Sequence, residues 1–114
     1  MRGKFILAHD IGTSGNKATL MNKYGEILAS EISSYSTFYV KENWAEQDPN
    51  DWWNAVCHTT KNIIDKTKID PKDIASVTFS GQMMGLVAVD KNVNALTRAI
   101  IWADTRAEKE VEKI

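Results

Sequence analysis

A short glycine-rich segment near the start of the chain carries the residue types best suited to phosphate chemistry. Residues 10–17 read Asp-Ile-Gly-Thr-Ser-Gly-Asn-Lys. Gly12 and Gly15 can adopt positive φ and leave backbone N–H groups uncovered, and Thr13 and Ser14 add hydroxyl donors. Because a concave row of such donors binds phosphate oxygens, the segment predicts an anion-binding turn.

Charged residues stand at both ends of this segment. Asp10 can hold Mg²⁺ directly or through water, as that ion prefers in phosphate sites, and Lys17 can add a positive charge. An ordinary hairpin turn, in which Gly, Ser and Asn16 serve only the turn geometry, is the alternative. The segment is neither a Walker P-loop nor a dinucleotide fingerprint, because Gly-Lys-Ser/Thr and the G-x-G-x-x-G spacing are both missing.

Two later segments also carry polar side chains at candidate binding positions. Gln82 offers a donor and an acceptor to a hydroxylated ligand, and Met83 and Met84 offer an adaptable apolar wall. A turn with two core methionines is the alternative there. Asp104 can cap a helix, and Arg106 can pair either with Asp104 or with a ligand.

The elements that position these residues follow from the apolar periodicity. A short, mostly apolar run predicts a strand over 4–9, and an alternating pattern predicts another over 17–21. With a third strand over 27–33 they form an antiparallel meander. A helix begins after Asp48 as N-cap, with Pro49 at its first position. The helical period predicts a buried face that comprises Trp52, Trp53, Val56, Cys57, Thr60, Ile63 and Ile64. Both tryptophans would then lie in the core; an aromatic platform for a sugar is the alternative.

The second half of the chain returns to the sheet. A capped turn over 70–73 leads to a strand over 74–79, and further strands are expected over 86–90 and 99–102, before a charged helix over 107–114. This order indicates an α/β domain with a mixed sheet. Because ligands collect at the carboxyl ends of strands in open α/β sheets, the loop over 80–85, which follows the returning strand, is well placed for binding.

Composition narrows the class of protein. The 114 residues suffice for one domain, and the net charge of −1 without a basic stripe argues against a nucleic-acid partner. The single cysteine, Cys57, excludes an internal disulfide and fits a reducing compartment. No apolar run is long enough for a signal peptide or a membrane span, so we expect a cytoplasmic protein without membrane contact.

Taken together, four segments resemble the opening segments of the FGGY carbohydrate kinases, particularly the xylulokinase branch. They are residues 10–17, residues 44–49 with the tryptophan pair that follows, residues 80–85, and residues 101–106. They occur in the right order and cover essentially the whole chain. The resemblance implies a ribonuclease H-like (actin-like ATPase) α/β domain, whose mixed sheet contains a three-strand antiparallel meander and carries helices on both faces.

The resemblance also implies an activity, namely phosphorylation of a sugar hydroxyl by ATP with Mg²⁺. Asp10 would act in the Mg²⁺·ATP site and hold the metal. The implied nucleotide-binding residues are Asp10, Gly12, Thr13, Ser14, Gly15, Asn16 and Lys17. The implied sugar-binding residues are Gln82, Met83, Met84, Trp102, Asp104 and Arg106.

Two positions depart from the xylulokinase pattern. Met84 stands where a His is expected, and Thr105 stands where a Gly is expected. Losing an imidazole removes a polar contact to a sugar hydroxyl, so the substrate can be a ketopentose such as xylulose or a related ketose or polyol. Glycerol kinases fit less well, because Met83 and Met84 replace their Arg-Glu pair.

The family's catalytic-base aspartate and adenine-binding domain lie further along its sequence. We therefore expect residues 1–114 to be the N-terminal part of the first, sugar-binding domain, with the second domain absent and no kinase activity alone. Apolar surface exposed on such a piece would favour self-association, for example as a homodimer. Two alternatives stay open: a non-catalytic actin-like ATPase segment or other nucleotide-binding module that binds no sugar, and a structural domain whose hairpin binds nothing.

Overall fold

A four-stranded mixed sheet forms the centre of the computed structural model, which describes residues 3–114. Strands β1 (Phe5–Ile11), β2 (Gly15–Asn22) and β3 (Ile27–Ser34) form an antiparallel meander. Strand β5 (Ile74–Gly81) pairs parallel to β1, which gives the order β3-β2-β1-β5. The predicted meander and the predicted returning strand are therefore confirmed.

The strand register brings two candidate segments together. Asp10, near the end of β1, lies opposite Lys17 on β2 and beside Ser80 on β5. Because β1 and β5 run in the same direction, their carboxyl ends meet at one edge of the sheet. The β1–β2 turn and the loop after β5 are consequently neighbours.

One long helix, α1 (Pro49–Thr67), packs on β2 and β3. Its predicted start is confirmed, since the Asp48 side chain accepts a hydrogen bond from the backbone N–H of Asn50 at 2.9 Å. The helix ends at Lys68, which has a left-handed φ of 56°. The core cluster between helix and sheet is Leu7, Ala18, Leu20 and Ile63.

The predicted buried face of α1 is wrong in part. The buried side chains are Ala55, Val56, Thr59 and Ile63, whereas Trp53 is 64% exposed and Cys57 is exposed. Trp52 is only half-buried, so neither tryptophan lies in the core cluster. The reason is geometric: the sheet contacts one side of α1, so only a narrow stripe of the helix is buried, and Trp53 and Cys57 lie outside that stripe.

The segment after β5 is less regular than the sequence predicts. The expected strand over 86–90 contributes only isolated bridges, from Leu86 to Ile100 and from Val89 to Ala95. Its apolar side chains stay largely exposed, because no continuous partner strand lies beside it in the described part of the chain. The last strand, β6 (Ala99–Ile100), is shorter than expected.

Three short elements complete the fold. Strand β6 pairs antiparallel with β4 (Glu46–Gln47), just before α1. The predicted capped turn is a 3₁₀ helix (Pro71–Asp73) with Asp70 as N-cap. The predicted final helix is reduced to α2 (Glu108–Val111). Within residues 3–114, no helix has the length and apolar character needed to cross a membrane.

Candidate functional site

The β1–β2 turn is formed by residues 12–14, and we call it the hairpin turn. Gly12 N–H donates to Gly15 C=O at 3.0 Å, whereas Thr13 N–H and Ser14 N–H have no hydrogen-bond partner within residues 3–114. The expected positive φ is wrong, because the glycines with positive φ in that range are Gly3 and Gly25. Gly15 instead permits close packing: a Cβ there would lie 2.7 Å from the Ser33 carbonyl oxygen.

Asp10 is an exposed carboxylate beside this turn, and it is held by one neighbour. Ser80 Oγ donates to Asp10 Oδ1 at 3.0 Å. On the other side, the Tyr35 hydroxyl donates to the Gly12 carbonyl. Burial, and secondly the charge of Asp10, raises the pKa of Tyr35 to about 12, so the phenol stays protonated and remains a donor.

An open cleft of about 380 Å³ joins the hairpin turn to the loop after β5, residues 82–85, which we call the Gln82 loop. The residues lining it are Asp10, Gly12, Thr13, Gly81, Gln82, Met83, Met84 and Trp102. Trp102 Nε1 donates to Thr13 Oγ1 at 2.9 Å across this cleft. Candidates from all three predicted segments therefore meet in one place.

The two methionines are surface residues. Met83 is 73% exposed and Met84 is 83% exposed, so the alternative of two core methionines is wrong. Met84 has a φ of 60°, a conformation that few residues other than glycine adopt. The chain therefore holds an apolar side chain on the cleft wall despite a backbone cost.

The Asn16 side chain points away from the cleft. It is fully buried under the hairpin, where Nδ2 donates to Thr59 Oγ1 at 2.9 Å and lies 3.1 Å from His9 Nδ1. Burial lowers the pKa of His9, which keeps the imidazole neutral. Asn16 thus supports the hairpin from below, while Lys17 is exposed opposite Asp10.

Asp104 and Arg106 form an ion pair outside the lining of this cleft. Arg106 Nη2 donates to Asp104 Oδ2 at 2.7 Å and to Glu46 Oε1 at 2.9 Å, and its guanidinium stacks on Trp44 at 3.8 Å. Hydrogen bonds from Arg106 lower the pKa of Asp104 to about 2. The charges of Asp104 and Arg106 are therefore paired with each other and with Glu46.

Asp104 does not cap a helix. The residue preceding α2 is Ala107, which makes no side-chain capping bond. Asp104 Oδ2 instead accepts from the backbone N–H of Ala45 at 2.7 Å. Its other oxygen, Oδ1, accepts from the backbone N–H of Arg106 at 3.0 Å, so the carboxylate satisfies one distant and one local backbone donor.

Gln47 is a residue of the site that the sequence did not reveal. It is fully buried, and Nε2 donates to the Thr13 carbonyl at 2.6 Å and to Thr37 Oγ1 at 2.8 Å. Its Oε1 accepts from Trp52 Nε1 at 2.9 Å and from Gln82 Nε2 at 2.8 Å. It lies in a segment that carries the family resemblance, yet its residue type and spacing indicate no contact.

The donor set suits a magnesium ion only together with a ligand that brings its own oxygens. Residues 3–114 contain no group of three or more His, Cys, Asp or Glu side chains that could hold a metal. One exposed carboxylate, Asp10, stands beside the hairpin turn. Because Mg²⁺ is commonly held by one or two carboxylates with phosphates and water, Asp10 fits an ion that arrives with a nucleotide.

Known proteins resemble this chain throughout its length. The sequence model described as "FGGY family of carbohydrate kinases, N-terminal domain" matches residues 5–114. Xylulose kinase of Staphylococcus xylosus is 38% identical over 110 residues, which cover 96% of this chain and 22% of that protein. Gluconokinase of Bacillus subtilis is 38% identical over 111 residues, with 96% and 21% covered.

Solved structures agree with the sequence relatives. Ligand-bound xylulose kinase from Lactobacillus acidophilus has a TM-score of 0.87 at 33% identity, with 96% of this chain and 22% of that chain covered. The α/β, actin-like ATPase fold is therefore confirmed, and the chain spans about a fifth of the length of these relatives. The match over residues 5–114 shows that the chain belongs to the FGGY family of carbohydrate kinases.

Proposed function

We propose that this chain is the N-terminal part of the sugar-binding domain of a kinase that transfers the γ-phosphoryl group of ATP to a sugar hydroxyl. The observation that carries the proposal is the shared cleft, in which Asp10 and the hairpin turn face the Gln82 loop and Trp102. Phosphoryl transfer depends mainly on positioning and charge stabilisation. A cleft with a phosphate side and a sugar side would position the two reactants next to each other.

On the phosphate side, the free N–H groups of Thr13 and Ser14 bind phosphate oxygens. Thr13 Oγ1 accepts from Trp102, which leaves the hydroxyl proton available to a phosphate. Asp10 holds Mg²⁺ with the nucleotide, and the ion supplies positive charge to the phosphoryl oxygens. Lys17 adds charge from the strand opposite Asp10.

On the sugar side, Gln82, Met83, Met84 and Trp102 form the wall that meets the substrate. Relatives of nearly equal identity are named xylulose kinase and gluconokinase, so we propose a ketopentose such as xylulose or a related sugar acid, ketose or polyol. Asp104 and Arg106 serve the sugar indirectly, because their bonds to residues 45 and 46 fix the segment that carries Trp102.

We propose that this chain is part of a longer enzyme, because it spans about a fifth of the length of its relatives. We expect the catalytic base and the adenine-binding residues of that enzyme to lie outside these 114 residues, and the chain alone to have no kinase activity. We place the enzyme in the cytoplasm, acting on small molecules rather than on nucleic acid or membranes.

The experiment is a coupled ADP-release assay of the full-length protein with xylulose, gluconate, ribulose and glycerol, compared with Asp10→Asn. Because Asn cannot supply a charged oxygen to Mg²⁺, we expect kcat to fall by about a hundredfold or more. The matched control is Asp90→Asn, which alters an exposed turn that is not among the cleft's lining residues. ATP binding or hydrolysis without phosphorylation of any sugar would favour the non-catalytic ATPase alternative.

A further inference from the structure

Gln47 connects the two sides of the cleft. Its amide makes hydrogen bonds to Thr13, Thr37, Trp52 and Gln82, and the side chain is fully buried. A primary amide has two N–H donors and one carbonyl oxygen with two lone pairs. Every hydrogen-bonding position of Gln47 is therefore occupied.

The orientation of this amide follows from its partners. The indole N–H of Trp52 can only donate, so the Gln47 atom facing it must be the oxygen. The opposite end faces the Thr13 carbonyl, which can only accept and therefore requires the NH₂ group. Gln82 must in turn present its own NH₂ to Gln47 Oε1.

The bonds join segments that are distant in sequence. Thr13 lies 34 residues before Gln47, and Gln82 lies 35 residues after it. Thr13 belongs to the hairpin turn and Gln82 to the loop on the opposite wall. A displacement of either wall must break or bend a buried hydrogen bond, which carries a free-energy cost.

We infer that Gln47, oriented by Trp52, is a positioning residue that fixes the hairpin turn relative to the Gln82 loop and thereby couples nucleotide binding to sugar binding. The inference rests on the proposed function, which places phosphate on one wall and sugar on the other. Each ligand restricts the movement of the wall that it binds. Because the Gln47 amide is bonded to Thr13 and to Gln82, the movement of the other wall is restricted as well. The binding of each ligand consequently strengthens the binding of its partner.

The test measures the dissociation constant of xylulose, or of the best substrate, for the full-length protein with and without Mg²⁺ and a non-hydrolysable ATP analogue. In the wild type we expect the analogue to tighten sugar binding about fivefold or more, within the usual range of coupling between sites. Gln47→Glu keeps the acceptor for Trp52 and Gln82 but loses donation to Thr13 and to Thr37. We expect this variant to lose most of the coupling, so that the analogue changes its sugar affinity by less than about twofold.

A tryptophan pair supplies a matched comparison that avoids a change at Gln47 itself. Trp52→Phe removes the indole N–H that orients the amide, and we expect it to reduce the coupling. Trp53→Phe removes the same group from the adjacent, 64% exposed residue, and we expect wild-type coupling. Thermal unfolding of each variant identifies any that fails to fold.

The outcomes separate this inference from the proposed function. A wild type that phosphorylates sugar but shows no coupling, or unchanged coupling in Gln47→Glu and Trp52→Phe, overturns the role of Gln47 and leaves the kinase intact. Coupled binding that Gln47→Glu abolishes, without phosphoryl transfer, supports the positioning role and contradicts the kinase.

Discussion

Individual side chains in this molecule divide into those that face the cleft and those that hold it together. The sequence indicated the first group well, because Asp10, Thr13, Gln82 and Met84 sit in short segments of recognisable chemistry. It did not indicate Gln47, whose partners lie 34 and 35 residues away, so that only the folded chain brings them together. Long-range hydrogen bonds of this kind have no local sequence pattern.

Asp104 is a carboxylate whose charge is stabilised in the folded chain by Arg106. Its pKa is lowered to about 2 in the folded chain from an ordinary 3.8, mainly by hydrogen bonds from Arg106. Above pH 3.8 the carboxylate is charged in both states and its stabilisation is fully present, and this stabilisation is lost as the pH falls towards 2. We expect Asp104→Asn to lower the free energy of unfolding at pH 7 by about 1.5–3 kcal/mol.

Urea unfolding at pH 7 and at pH 3 measures this effect. The variant should lose less stability between the two pH values than the wild type does. Asp65→Asn, an exposed carboxylate on α1, is the control and should keep the wild-type difference. An unchanged pH dependence in Asp104→Asn would show that the Asp104–Arg106 pair contributes nothing to it.

At the scale of elements, the meander, α1 and β5 follow from periodicity and capping residues, because these elements depend on local pattern. The structure differs from these predictions where tertiary contacts, rather than local pattern, determine which residues are buried or paired. The stripe of α1 that faces the sheet excludes Trp53 and Cys57, and residues 86–90 form bridges rather than a strand. The sequence predicts a flexible turn residue at Gly15, whereas the close approach of strand β3 is what requires a glycine there.

Gly15→Ala tests the packing of β2 against β3. The added Cβ would lie 2.7 Å from the Ser33 carbonyl oxygen, so the strands must separate. We expect the free energy of unfolding to fall by about 1–3 kcal/mol, the usual cost of inserting a methyl group into a packed site. Gly12→Ala, whose Cβ would meet its nearest neighbour at 3.5 Å, should cost less; equal losses in the two variants would refute the packing explanation.

As a whole molecule, the chain matches the N-terminal domain of its family and spans about a fifth of the length of its relatives. Its cleft is open. Several apolar side chains, among them Val77, Phe79 and Trp53, are at least half exposed. Exposed apolar surface of this extent favours association with further protein. The family and the fold could be recognised from four spaced segments, whereas the choice of sugar depends on contacts that residue types alone do not fix.

The most direct measurement is a crystal structure of the full-length protein with Mg²⁺, a non-hydrolysable ATP analogue and xylulose or its best substrate. We predict phosphate oxygens within hydrogen-bond distance of the N–H groups of Thr13 and Ser14, the metal beside Asp10, and the sugar against Gln82 and Met84. Nucleotide phosphates bound away from the hairpin turn, or a sugar bound outside this cleft, would contradict the proposed roles of these residues.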